Sequence, residues 1–150
     1  MSQTLTSLLV HVVFSTKNRA SLITPEIEPD LFAYIGGILK NHESRLIDAG
    51  GTENHVHLVI SQSENIPLCT ILKEIKQGSS YWIKTQDEAY RDFRWQVGYA
   101  GFSIGNAELQ HLKTYLASQK EHHRKRTFQE ELLRFLDDCG LSYDERFLWT

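Results

Sequence analysis

Two histidines separated by a single residue, His55 and His57, have the spacing in this sequence that best suits metal chemistry. They begin a run of apolar residues, 55–61, that predicts a buried strand. Alternate residues of a strand point to the same face, so both imidazoles are expected on one side of a sheet. Two imidazoles so placed can hold one divalent metal ion. Because the motif is short, two partly buried or surface histidines without a metal remain an alternative.

Three other chemistries of histidine and cysteine do not fit the sequence. A histidine-triad hydrolase needs a third histidine where Val59 stands, and a two-histidine phosphodiesterase needs a serine or threonine there and a second copy of the motif. A structural zinc site needs cysteines at close spacing. Cys69 and Cys139 are far apart and are interpreted as reduced thiols of a cytoplasmic protein.

A second group of chemically useful residues lies in the segment 106–123. Tyr115 and Gln119 are four residues apart, which places them one turn apart on the same side of a helix. Leucines at 109, 112 and 116 form an adjacent apolar stripe that would dock this helix and leave Tyr115 at the edge of a cleft. An amphipathic surface helix with a half-buried tyrosine is the alternative interpretation.

The two groups suit one reaction, the attack of a tyrosine on a phosphodiester. A divalent metal on a non-bridging oxygen reduces the charge that repels nucleophiles and orients the phosphate. Tyrosine is a possible nucleophile, although its pKa near 10 keeps it mostly protonated at neutral pH. Gln119 could supply a third, oxygen ligand beside His55 and His57, which would couple the position of Tyr115 to that of the metal.

The elements that must position these residues follow a β-α-β-β-α-β-α-α order. Thr24-Pro25 is a helix start, and Thr127 with Glu130 matches a capping box. The first six elements have the ferredoxin-like (RRM-like) order of an α+β fold, which predicts an antiparallel sheet with helices on one face and additional C-terminal helices. The predicted strands are 5–16, 45–48, 55–61 and 95–104, and the predicted helices are 24–39, 67–85, 106–123 and 127–140.

Length and composition are typical of one compact domain, residues 1–150. The hydrophobic fraction of 41% supports a real core, no apolar run is long enough for a membrane span, and no signal peptide is recognisable. The net charge of -3 argues mildly against nucleic-acid binding. Six acids and two bases lie in residues 127–150, however, and the first 126 residues carry 14 bases against 13 acids. Local basic clusters, on which affinity for phosphates depends, are therefore still available.

Taken together, these segments resemble the single-tyrosine HUH transposases of small bacterial insertion sequences, the IS-two-hundred type. The resemblance covers nearly the whole chain. The segments that carry it are Val12–Lys17, His55-Val-His57, Leu72–Lys76 with Gly78–Ser80, Trp95-Gln96 with Gly98-Tyr99, Tyr115 with Gln119 and His122-His123, and Tyr143–Trp149. One departure is Asn54, because an acidic residue often precedes the HUH motif in this family; tuned rather than lost metal affinity is expected.

The resemblance implies a role for each site residue. His55, His57 and Gln119 would bind Mg²⁺ or Mn²⁺. Tyr115 would attack the scissile phosphate and leave a 5′-phosphotyrosine and a free 3′-OH. The chain would act in the bacterial cytoplasm as a DNA-associated homodimer that recognises hairpins at the ends of an element, with no membrane contact.

Five basic side chains are candidate phosphate contacts, although each could equally be ordinary solvated surface: Lys17, Arg19, Lys73, Lys76 and Arg94. Three alternatives to an active transposase remain open from the sequence. The chain could be a domesticated hairpin-DNA binder of the same fold, a repeat-associated relative that processes genomic palindromes without transposition, or a metal-binding interaction module. The intact set of His55, His57, Tyr115 and Gln119 favours an enzyme.

Overall fold

A four-stranded antiparallel sheet with the strand order β2-β3-β1-β4 forms the centre of the computed structural model, which describes residues 2–149. The strands are β1 (Leu9–Ser15), β2 (Arg45–Thr52), β3 (His55–Ser61) and β4 (Ala100–Ile104). The helices are α1 (Glu28–Asn41), α2 (Leu68–Lys84), α3 (Asn106–Ala117), α4 (Gln119–His122), α5 (Phe128–Asp138) and α6 (Glu145–Leu148). The two crossovers β1-α1-β2 and β3-α2-β4 confirm the ferredoxin-like α+β prediction.

One face of the sheet packs on α1 and α2. Every second residue of β3, namely Val56, Leu58 and Ile60, is fully buried on this side. The two helices contribute residues at helical spacing, Leu31, Ile35, Leu39, Ile71, Leu72 and Ile75, each at most 1% exposed. The period of two in the strand and of about 3.6 in the helices therefore produces the main core.

The other face of the sheet packs on α3 and α5. Val59 contacts Leu112 and Leu116 of α3, whereas Val13 and Phe102 contact the apolar side of α5. Both histidines of the HUH motif point to this second face because they alternate with Val56 and Leu58. The C-terminal helices thus cover the histidine pair, and the sheet is covered on both sides. No helix among residues 2–149 is both long and apolar enough to cross a membrane.

A glycine in β2 allows the close approach of α3. The strand 45–48 was expected to end before Gly50 and Gly51, but β2 continues to Thr52 and pairs Gly50 with His57. A Cβ atom at Gly50 would lie 2.9 Å from the carbonyl oxygen of Leu116, closer than such atoms come in proteins. The glycine is therefore required by packing rather than by a turn, and it positions the helix that carries Tyr115 next to β3.

The strands β1 and β4 are shorter than predicted. β1 begins at Leu9 rather than at residue 5, because Leu9 already pairs with the last residues of β3 and β4, Ser61 and Ile104. β4 covers only Ala100–Ile104, and Trp95 makes an isolated bridge to Thr16. In the intervening loop, the ammonium of Lys76 donates to the carbonyl oxygens of Gln96 and Gly98, at 2.5 and 2.6 Å.

Two predicted helices also have different bounds. α1 begins at Glu28 instead of near Pro25, because Pro29 has no N–H to donate to the preceding turn, and residues 25–27 form a separate turn whose Ile27 N–H donates to the Thr24 hydroxyl. The helix predicted for 106–123 is interrupted at Ser118, whose hydroxyl donates to the backbone of the preceding turn. The capping box at Thr127 and Glu130 is confirmed.

Candidate metal centre and tyrosine site

The two histidines of β3 face one carboxylate. Both side chains are completely buried, and their ring centroids lie 5.1 Å apart. Nε2 of His57 lies 2.8 Å from Oε1 of Glu131, and Nε2 of His55 lies 3.4 Å from the same oxygen. The strand therefore presents both imidazoles to one point, as the His-x-His spacing predicted.

Gln119 lies at this point too, although the helix is interrupted just before it. Its side-chain amide nitrogen donates a hydrogen bond of 2.9 Å to Oε2 of Glu131. That bond turns Oε1 of Gln119 toward His55, whose Nε2 is 3.2 Å away. Gln119 is only 1% exposed, so the side chain is part of the buried site rather than of the helix surface.

The hydroxyl of Tyr115 donates a hydrogen bond to Oε2 of Glu131. The tyrosine is half-buried at the edge of a cavity of about 920 Å³ between α3 and α5. Burial and the negative charge of Glu131 raise the pKa of Tyr115 above its ordinary value, so the phenol is protonated in this arrangement.

Glu131 is the functional residue that the sequence analysis missed. It lies on α5, three residues after Phe128 and one before Leu132, and is 2% exposed. The signal was available: the apolar stripe of α5 includes Phe128, Leu132 and Leu136, and an acidic residue within such a stripe needs buried partners. The identity of those partners depended on the tertiary fold.

The electrostatics of the site favour a negative carboxylate on Glu131 beside a neutral His55 ring. Burial opposes the ionisation of Glu131, but the surrounding imidazoles, that of His123 first, outweigh burial and hold the pKa of the carboxyl well below its usual range. Burial lowers the pKa of His55 to about 4. His55 is therefore neutral at neutral pH, and its Nδ1 donates to Oδ1 of Asn54 at 2.9 Å.

This pattern of hydrogen bonds leaves electron pairs facing one another. With its proton on Nδ1, His55 directs the lone pair of Nε2 toward two oxygens that are themselves acceptors, on Gln119 and Glu131. Converging acceptors repel one another unless a cation lies between them. Ligand atoms of His55, His57 and Glu131 lie within 4.8 Å of one another, and imidazole with carboxylate or amide oxygen is a suitable set for a divalent ion. The residues present therefore fit a metal.

Other side chains support this group from behind. The Thr52 hydroxyl donates to the Asn54 oxygen that accepts from His55, at 3.1 Å. Nε2 of His11, on β1, lies 2.8 Å from Nδ1 of His57. His123 brings its Nε2 to 3.3 Å from Oε2 of Glu131. His55 and His57 thus each have a hydrogen-bond partner on Nδ1, the ring nitrogen that points away from Glu131.

The five predicted phosphate contacts lie elsewhere. Lys17 and Arg94 are neighbours, because the backbone N–H of Lys17 donates to the carbonyl oxygen of Arg94 at 2.9 Å. Arg19 lies over the ring of Trp149 at 5.8 Å, and Lys73 is exposed on α2 one turn before Lys76. In the described part of the chain, none of the five lines the cavity beside Tyr115.

The comparison with known families agrees with this geometry. The sequence profile described as "Transposase IS200 like" matches residues 4–119, more than half of the chain. The chain belongs to this transposase family. The match includes His55, His57, Tyr115 and Gln119 but ends before Glu131. Among curated proteins, none matches the chain.

Two solved structures of transposases are similar to this family member. A proposed transposase from Deinococcus radiodurans R1 has a TM-score of 0.62 at 16% identity, covering 79% of this chain and 98% of its own. A REP-associated tyrosine transposase bound to a REP hairpin has a TM-score of 0.61 at 16% identity, covering 96% of this chain and 93% of its own. At this identity the likeness shows a shared fold, and it extends through the C-terminal helices in the second case.

Proposed function

We propose that this IS200-like transposase cleaves and rejoins single-stranded DNA at the ends of an element, through a 5′-phosphotyrosine on Tyr115. One observation carries the proposal: a single carboxylate, that of Glu131, contacts both the tyrosine hydroxyl and the histidine pair. A binding protein has no need for a nucleophile connected to a metal-binding group. A transesterase needs that connection, because attack and charge neutralisation must occur at the same phosphate.

The proposed metal ligands are His55, His57 and Gln119, and we add Glu131 because its carboxylate lies among them. The ion is Mg²⁺ or Mn²⁺, and when bound it would reduce the negative charge on a non-bridging oxygen of the scissile phosphate. Two imidazoles among the ligands favour Mn²⁺ over Mg²⁺, which prefers oxygen. The hydrogen bond from Gln119 to Glu131 holds the side-chain oxygens of these two residues at fixed positions relative to Tyr115.

In the reaction, the phenol oxygen of Tyr115 attacks phosphorus and the bond from phosphorus to the 3′ oxygen breaks. Glu131 already accepts the hydrogen bond of the phenol, so its Oε2 is placed to take the proton as the new bond forms. The departing 3′ oxygen takes up a proton and becomes a hydroxyl. A 3′-OH from a second strand reverses these steps and joins the DNA, so the bond energy is retained and no nucleotide cofactor is consumed.

DNA hairpins are the proposed recognition element. The REP-associated transposase with a similar fold binds a REP hairpin, and this chain has five candidate phosphate contacts: Lys17, Arg19, Lys73, Lys76 and Arg94. Lys17 and Arg94 are close to β3, because Thr16 donates to the carbonyl oxygen of Asn54 next to the histidine pair. Joining two ends requires two tyrosines, so a homodimer in the bacterial cytoplasm is the proposed working form.

The second candidate is a repeat-associated or domesticated hairpin-binding protein of the same fold that does not transpose. The fold shared with a REP-associated transposase over 96% of this chain supports it. The genomic context separates the two functions, because hairpins that flank the gene on both sides mark a mobile element, whereas dispersed palindromes mark a processing protein.

Covalent capture of DNA tests the proposed chemistry. Single-stranded DNA from the flanks of the gene, labelled on the fragment 3′ of the break, is incubated with the protein and Mn²⁺ and run on a denaturing gel. A slow band is expected with the wild type and is expected to vanish with EDTA and in Tyr115→Phe. A band of equal intensity from Tyr115→Phe would contradict the assignment of the nucleophile. A shift on a native gel without any covalent band would favour the hairpin-binding function.

A further inference from the structure

His11 is a buried histidine that the proposed reaction does not use. It lies on β1, is 2% exposed, and places Nε2 2.8 Å from Nδ1 of His57. The two rings are nearly parallel, with an angle of 18° and centroids 5.1 Å apart. The contact is on the side of His57 that faces away from Glu131, so His11 reaches the metal-binding ring from behind.

The fold leaves His11 little freedom to turn. Val13 pairs with His57 across β1 and β3, so His11 lies two residues along on the same face of the sheet. Its ring packs against Phe102 with centroids 5.8 Å apart and edge-on against Phe135 with centroids 5.0 Å apart. A neutral imidazole can accept a hydrogen bond on its unprotonated nitrogen.

We propose that His11 is a positioning residue that holds His57 with Nε2 directed to the divalent ion. A metal takes the lone pair of Nε2, so the remaining proton of His57 must be on Nδ1 and must be donated to an acceptor. Nε2 of His11 is at hydrogen-bond distance from Nδ1 and fulfils that requirement. The inference rests on the metal site proposed above and adds a residue that contacts a proposed ligand ring rather than the ion.

The partner of His57 differs from that of the other metal-facing ring. His55 donates its Nδ1 proton to the side-chain oxygen of Asn54, whereas His57 donates to a ring nitrogen. Both acceptors are neutral, and a neutral acceptor makes the imidazole a weaker electron donor than a carboxylate does. Asn54 and His11 therefore fix the orientation of the His55 and His57 rings but add little to the basicity of the nitrogens that face the ion.

The metal affinity of two variants, compared with that of the wild type, tests this role without reference to DNA cleavage. His11→Phe keeps an aromatic ring between Phe102 and Phe135 but removes the acceptor, and His11→Gln restores an oxygen acceptor of similar reach. Free Mn²⁺ is titrated by its electron paramagnetic resonance signal against each protein. A loss of affinity of about 10- to 100-fold is expected for His11→Phe, and near-wild-type affinity for His11→Gln. Melting of the metal-free proteins checks the fold, and His11→Leu replaces His11→Phe should the larger ring not fold.

The outcomes separate the inference from the proposed function. Equal Mn²⁺ affinity of folded His11→Phe and the wild type would overturn the positioning role alone. An equal loss in His11→Phe and His11→Gln would also overturn it, since the acceptor would then not be the cause. A wild-type protein that binds no Mn²⁺ at all would overturn the proposed metal site and this inference with it.

Discussion

Tyr115 and Glu131 are joined by a hydrogen bond from the phenol to Oε2 of the carboxylate, although they lie on different helices. The other oxygen of the carboxylate lies 2.8 Å from Nε2 of His57. One side chain thus connects the proposed nucleophile to the proposed metal ligands. Because α5 contributes this side chain, α5 belongs to the proposed reaction centre and is more than a cover for the sheet.

Replacing Glu131 by Gln is expected to reduce the covalent adduct by at least about 100-fold. The amide has the same shape but no negative charge, so it is a weaker ligand and cannot accept the phenol proton. Single-turnover formation of the adduct on a denaturing gel measures the effect, and a native gel is expected to show unchanged hairpin binding. Asp138→Asn is the matched control, because Asp138 is an exposed acid that lines the cavity from the same helix. Adduct formation by Glu131→Gln at or above the wild-type rate would contradict the assigned role.

The sequence is sufficient to predict the relative positions of site residues that lie close together on one strand or one helix. His55 and His57 share a face of a strand. Tyr115 and Gln119, four residues apart, lie on the same side although the helix is interrupted at Ser118. The strand and helix periods also predicted the order of the elements and the main core. These features depend on local geometry, which is encoded in short segments.

Contacts between distant elements could not be predicted in the same way. Glu131 meets His57 across 74 residues, and only the packing of α5 on the sheet brings them together. Gly50 was interpreted as the end of a strand, whereas it is the point of closest approach to α3. Lys76 was predicted to contact phosphate, a role that stays a prediction, and its ammonium binds two backbone carbonyls. Each case depends on what lies opposite the residue, which spacing along the chain does not reveal.

The metal-free protein is expected to lose stability as the pH falls from about 6.5 to 4. The folded pKa values of His11 and His55 are about 3 and about 4, against 6.5 for an unperturbed histidine. Between these values the unfolded chain takes up protons that the folded chain does not, so the stability present above pH 6.5 is lost. At pH 5 the loss amounts to roughly 2 kcal/mol for each histidine. Glu131, whose pKa is also lowered, adds a further loss below its ordinary value of 4.5.

Urea unfolding in EDTA at a series of pH values measures this loss. His11→Phe removes one of the two histidines. The decline in the free energy of unfolding between pH 7.5 and 5 is therefore expected to be smaller by the contribution of one histidine, roughly 2 kcal/mol. A free energy of unfolding that is unchanged over this range in the wild type would contradict the buried, neutral state of both rings.

Lys76 and Lys73 are expected to respond differently to replacement by Met, although they lie one turn apart on α2. The ammonium of Lys76 binds two carbonyl oxygens of the loop before β4 and lies 5.5 Å from the centre of the Phe14 ring. Lys76→Met should lower the free energy of unfolding by about 1–3 kcal/mol, because the carbonyl oxygens of Gln96 and Gly98 lose a charged hydrogen-bond donor. Lys73 is exposed, so Lys73→Met should leave stability unchanged and weaken hairpin binding with a smaller dependence on salt.

Chemical unfolding and binding titrations at several salt concentrations separate the two effects. Each variant serves as the control for the other. Equal stability of Lys76→Met and Lys73→Met would show that the loop does not depend on the ammonium, and an unchanged salt dependence in Lys73→Met would remove Lys73 from the predicted DNA contacts.

Replacing Asn54 tests how the hydrogen-bond partner of His55 affects the Mn²⁺ affinity of the proposed site. Its oxygen accepts from Nδ1 of His55 at 2.9 Å, at the position where the resemblance to HUH transposases leads one to expect an acid. Asn54→Asp keeps the acceptor and adds a negative charge, which makes His55 a stronger donor, so tighter Mn²⁺ binding by about tenfold is expected. Asn54→Leu removes the acceptor and should weaken binding to a similar extent. The Thr52 hydroxyl can still donate to an Asp at this position, which preserves the local geometry. Weaker Mn²⁺ binding by Asn54→Asp than by the wild type, measured from the resonance of the free ion, would mean that this hydrogen bond does not control the ligand.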